Sequence, residues 1–158
     1  KFDIRKPPVD VKDIAQKLDL WIEYEDLGDE VSGVLVTKEG DSGIVVRAED
    51  ADVRQRFTIA HEIGHFVLKH NHAHDRLFRA DQSHQVAYRS QEGFKRFDPF
   101  EVQANQFAAN LLMPAKMLGA EIQKLNRELC EDDVSTLAKQ FGVSEQSMTI
   151  RLTSLKHL

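Results

Sequence analysis

Two histidines and a glutamate raise the first chemical question. His61-Glu-Ile-Gly-His65 sets two imidazoles four residues apart, with a carboxylate directly after the first. On a helix that spacing leaves the rings ~40° apart around the axis and ~6 Å apart along it, so both can reach one ion. Glu62 lies ~100° further round, beside such an ion rather than on it. From there a carboxylate can take a proton from water that the metal has acidified toward pKa ~7, and pass it to a leaving amine. The pattern H-E-x-x-H is a zinc-peptidase signature. The plainer alternative is an amphipathic helix whose histidines are ordinary surface or core residues.

A catalytic zinc needs a third protein ligand and one open position. The metzincin extension H-E-x-x-H-x-x-G-x-x-H does not supply it, because Leu68 stands in place of the glycine and Asn71 in place of the last histidine. Further along, Glu101 and Asn105 are four apart and share a helical face with Ala108 and Leu112. Glu101 can complete a His2Glu site, and Asn105 would then lie one turn on, placed to hydrogen-bond the second ring nitrogen of a ligand histidine. Ala104, Ala108 and Ala109 facing Gly64 would let the two helices approach closely. Taken alone, an acid in the first turn of a helix needs no more explanation than the macrodipole.

The elements that must position these groups follow from the hydrophobic periods. A polar lead-in ends at Pro7-Pro8, and Val11, Ile14, Ala15 and Leu18 predict a helix from near Asp10 to Leu20. Three β-rich runs, Trp21–Tyr24, Gly33–Thr37 and Gly43–Arg47, are separated by Gly and Asp clusters and predict a small sheet. From about Asp52 the period turns helical through His70. Phe57, Ala60, Ile63, Gly64, Val67 and Leu68 form one apolar arc there, with the histidines at its edge. The polar stretch from Asn71 to Asp98 is longer than ordinary connections, hence functional or mobile, with one short strand expected near Gln85–Tyr88. A second strong helix is predicted from Pro99 to Leu112, stopped by Pro114, and two or three more helices complete the chain.

Composition bounds the rest. The 158 residues, 41% apolar, suit one globular domain. Acidic residues outnumber basic ones, 26 to 21, so a net charge of −5 offers no general attraction to nucleic acid or to an anionic membrane. Cys130 is the one cysteine, which excludes an internal disulfide and points to a reducing, cytoplasmic setting. No apolar run approaches the ~20 residues of a membrane span. The chain opens on Lys1 rather than Met, which leaves room for an upstream segment.

Some features compete with the metal reading. Leu137–Ser144 followed by Glu145–Leu152 resembles a helix-turn-helix, with Gly142 at the turn and Ser144 as N-cap. Its second helix starts with Glu145 and offers only Arg151 and Lys156 as cations, while Met148, Leu152 and Leu155 make an apolar stripe that must pack on something. A packing unit fits this better than a DNA reader. His70, His72, His74 and His84 could bind a second ion, although a polar loop rich in histidine is usually only solvated. Trp21, Tyr24 and the nine phenylalanines are more simply core than cofactor contacts.

Taken together, His-Glu-Ile-Gly-His at 61–65 and Glu-Val-Gln-Ala-Asn-Gln-Phe-Ala-Ala-Asn-Leu-Leu-Met-Pro at 101–114 resemble the ImmA/IrrE family of metallo-endopeptidases, from the first helix to the C-terminus. The resemblance implies one Zn2+ per chain held by His61, His65 and Glu101, with Glu62 as acid/base and Asn105 hydrogen-bonded to a ligand. It implies as substrate a helix-turn-helix transcriptional repressor. The family often carries an acid where Gln103 stands; with Glu101 retained, that departure bears on local packing. The oxyanion donor falls to His84, Tyr88 or Arg89, none distinguished by spacing. The expected fold is α+β and zincin-like: a small sheet on the H-E-x-x-H helix, then a helical half that supplies Glu101. The alternative is a DNA-associated regulator using residues 135–156, its zinc site a sensor or relic.

Overall fold

A computed structural model describes residues 6–38, 40–70 and 98–157. Helix α1 (Val11–Lys17) is followed by strands β1 (Leu20–Glu25), β2 (Gly33–Lys38) and β3 (Asp41–Arg47), then by α2 (Asp52–Val67). After residue 97 come α3 (Pro99–Leu112), α4 (Ala115–Gln123), α5 (Glu131–Phe141) and α6 (Glu145–Ser154). This is the α+β arrangement expected, a small sheet followed by a helical C-terminal half. The short strand expected near Gln85–Tyr88, with the rest of 71–97, lies outside the described residues. No helix among the described residues is long and apolar enough to cross a membrane.

The helix starts follow local chemistry. The Asp10 carboxylate accepts the Lys12 and Asp13 amides at 3.0 Å, and Asp98 accepts that of Phe100 at 3.0 Å, with Pro99 in the first turn of α3 where its missing N–H costs nothing. The sheet has the order β1-β3-β2, with β1 parallel and β2 antiparallel to β3. The register sets Trp21 opposite Gly43, where any Cβ would run into the indole ring. Gly33 opens β2 against α2 in the same way, because a Cβ there would strike the Thr58 methyl. That close approach brings an edge strand of the sheet onto the helix carrying H-E-x-x-H.

Ile14, Leu20, Ile44 and Val46 from the α1–sheet half meet Ile59 and Ile63 of α2 and Leu112, Phe141, Met148 and Leu152 of the helical half in one apolar cluster. Three expectations need correction. Tyr24 is exposed rather than core, its ring lying under the Lys12 ammonium at 5.0 Å. Helix α2 stops at Val67 instead of running to His70, so Val67 and Leu68 leave the apolar arc and face solvent. The histidines lie inside that arc rather than at its edge, with His61 wholly buried.

Candidate metal centre

Helices α2 and α3 form the site by packing closely. A Cβ on Gly64 would sit 3.1–3.3 Å from Phe107 and the Ala104 backbone, so glycine is what lets the axes come together. Ala104, one of the alanines expected there, and Phe107 are the residues that lie nearest Gly64. The approach places Glu101 and Asn105 of α3 against His61 and His65 of α2. Glu101 Oε2 lies 3.3 Å from His61 Nε2 and Oε1 lies 3.4 Å from His65 Nε2. The two Nε2 atoms are 2.9 Å apart. All three donor atoms fall within 4.8 Å of one another, the one such group among the described residues that could hold a metal ion.

Protonation suits a cation. Burial pushes the His61 ring toward its neutral form, its hydrogen bond to the Glu101 carboxylate opposing this only in part. Burial also disfavours charge on Glu101, but the hydrogen bonds and charges of His61 and His65 outweigh it and hold the carboxyl well below its usual range. The Asn105 carbonyl oxygen lies 2.9 Å from His61 Nδ1, and when that nitrogen donates to it the neutral ring offers its Nε2 lone pair to a cation beside Glu101 and His65. Two imidazoles and an ionised carboxylate converge, a donor set that zinc takes readily.

Glu62 stands apart from those ligands. It is buried beneath β2, and burial with the nearby Glu101 charge pushes its pKa up to about 8, the Leu35 backbone amide opposing this in small part. Its Oε1 has no hydrogen-bond partner among the described residues. A buried carboxyl oxygen left without a partner is costly, and such groups gather at functional sites. Sequence reasoning did not anticipate the Leu35 contact.

Nor did it anticipate what lies behind His65. His70 Nδ1 is 2.9 Å from His65 Nδ1, and His70 Nε2 is 3.2 Å from Gln103 Oε1. His70 therefore faces the outer nitrogen of His65 and not the converging donors, and Gln103 has a hydrogen-bonding role beyond local packing. His72, His74, His84, Tyr88 and Arg89 lie outside the described residues.

Comparison with known proteins adds independent findings. A peptidase family model, described as the IrrE N-terminal-like domain, matches residues 15–153. The phage-like element PBSX protein XkdA of Bacillus subtilis strain 168 is 29% identical over 147 residues, which are 91% of this chain and 61% of that protein. Among solved structures, a Mycobacterium tuberculosis transcriptional regulator shares the fold with a TM-score of 0.58 at 18% identity, over 90% of this chain and 39% of its own. This chain thus spans 61% of the one and 39% of the other.

Proposed function

This chain belongs to the ImmA/IrrE family of peptidases, and on that premise we propose that it is a zinc-dependent endopeptidase with Glu62 as its acid/base. The observation that carries the reading is the convergence of His61, His65 and Glu101 within 4.8 Å, beside a buried glutamate that is not one of them. These residues fit one zinc per chain, which when bound would acidify a water toward pKa ~7 and polarise the scissile carbonyl. Glu62 takes the proton that the attacking water loses as its oxygen bonds to the carbonyl carbon. It then delivers that proton to the amine nitrogen as the C–N bond breaks. Positive charge beside Glu62 favours its ionised form, the one able to act as base. The Leu35 backbone amide favours the same ionised form. His84, Tyr88 and Arg89 stay the candidates for the oxyanion donor.

The substrate in this reading is a protein, a helix-turn-helix repressor, cut at one site in the cytoplasm by a chain that forms one domain. Incubation with zinc and the repressors encoded beside its gene should yield discrete fragments. Glu62→Gln should keep about one zinc per chain while losing ~10²- to 10⁴-fold in cleavage, because it removes a base and no ligand. Full activity in that variant would end the mechanism.

The rival reading, a DNA-associated regulator working through residues 135–156, needs cations free to meet phosphate. Arg151 instead donates to the Met113 carbonyl at 3.1 Å and to Asn110 Oδ1 at 2.7 Å. Salt-sensitive binding to a defined duplex, lost in Arg151→Ala, would favour the rival.

A further inference from the structure

Helix α2 ends on a left-handed residue that is not glycine: Lys69 has φ 53°. Its amide donates to the Phe66 carbonyl at 3.2 Å, and the His70 amide donates to the His65 carbonyl at 3.1 Å. These paired bonds make a Schellman turn. The turn swings the buried His70 ring back against His65, where the Phe100 ring packs on it with centroids 4.7 Å apart.

With the Nε2 lone pairs of His61 and His65 given to a bound ion, one arrangement of protons serves the contacts behind them. Gln103 Oε1 accepts, so His70 Nε2 carries the hydrogen and its Nδ1 is left as an acceptor. His65 Nδ1, 2.9 Å away, must then donate, which leaves the His65 Nε2 lone pair facing Glu101 and His61. Asn105 does the same for His61 through a single bond. We infer that His70 and Gln103 are positioning residues, a two-step relay that fixes the tautomer and ring orientation of His65 as Asn105 fixes those of His61. The inference rests on the reading of His61, His65 and Glu101 as a zinc site.

An outer hydrogen bond of this kind is worth ~10- to 100-fold in metal affinity. His70→Ala should weaken zinc binding by that factor in competition with a chelator. Gln103→Leu, at an exposed position that the fold tolerates, should weaken it less, and Gln103→Glu should strengthen it, because a carboxylate accepts more strongly than an amide. Nitrogen-15 histidine spectra of the zinc-loaded protein supply a reading apart from affinity: His70 should carry its hydrogen at Nε2 in the wild type and be a mixture of tautomers in Gln103→Leu. Wild-type zinc affinity in both His70→Ala and Gln103→Leu, with an unchanged His70 tautomer in Gln103→Leu, overturns the relay. If Glu101→Ala also binds zinc normally, the site reading itself has failed.

Discussion

Two stretches of this chain carry a motif, and the structure treats their polar residues in opposite ways. Along α2, the turn that ends it and α3, His61, His65 and His70 are buried and turned toward one another and toward Glu101, Asn105 and Gln103, with Glu62 buried as well. In α5 and α6 the residues at 0% exposure are Phe141, Met148 and Leu152, while Lys139 is exposed and Arg151 is taken up by the end of α3. Arg151 caps the end of α3 at Met113, and Arg56 of α2 reaches the turn from below, donating to Gly142 O at 3.0 Å and to Val9 O at 2.8 Å. Gly142 holds φ +64°, and a Cβ there would press on that guanidinium at 2.9 Å. Burial of polar groups without simple pairing costs stability and is kept for chemistry. An apolar helix pair pinned by arginines is a packing device. A motif is thus judged by which of its residues the fold buries, not by the string.

The largest effect that could break this contrast is loss of the third ligand. Glu101→Ala should strip most of the zinc, whereas Asn105→Ala should cost ~10- to 100-fold in affinity with the ion still bindable. Metal content of both purified variants checks this. Retention of full zinc by Glu101→Ala would misplace the ligand and undo the reading of the α2–α3 contact.

A smaller effect separates Glu62 from the ligands through pH. In the ion-free protein its carboxyl is raised from 4.5 to about 8, so the fold favours its protonated form. That contribution is fully present below pH 4.5 and is lost as pH rises through about 8. Glu101, held low, behaves oppositely, stabilising above its ordinary range and failing as pH falls. Metal-free wild type should therefore lose more stability between pH 5 and pH 8.5 than metal-free Glu62→Gln, by on the order of a few kcal/mol. Urea unfolding at both pH values checks it, and equal losses in the two proteins would contradict it.

The smallest effect concerns the C-terminal pair. Arg151→Ala leaves the Met113 carbonyl and Asn110 without their donor and should cost ~1–3 kcal/mol in unfolding free energy while leaving zinc content unchanged. A variant as stable as the wild type would mean that the arginine is not structural, and would blunt the contrast between the regions.

Much of this was legible in advance, and the exceptions share a cause. The α2 and α3 motifs, the strands and the apolar stripe of α6 come from periods and ligand spacing, which are local. The site as a whole depended on joining Glu101 to His61 across the chain, which the pairing of Gly64 with an alanine-bearing face only suggested. His70 escaped because a lysine carries no sign that it will adopt φ 53° and stop a helix. The Leu35 contact escaped because it depends on strand order and on Gly33 fitting against Thr58, neither of which a linear pattern contains.

A crystal grown with zinc and measured across the zinc absorption edge tests the centre of this reading most directly. One anomalous peak per chain is expected, ~2.0–2.2 Å from His61 Nε2, His65 Nε2 and a Glu101 oxygen, with Glu62 near the ion and not bound to it. A peak held by His70, or by Glu62 in place of Glu101, would contradict it.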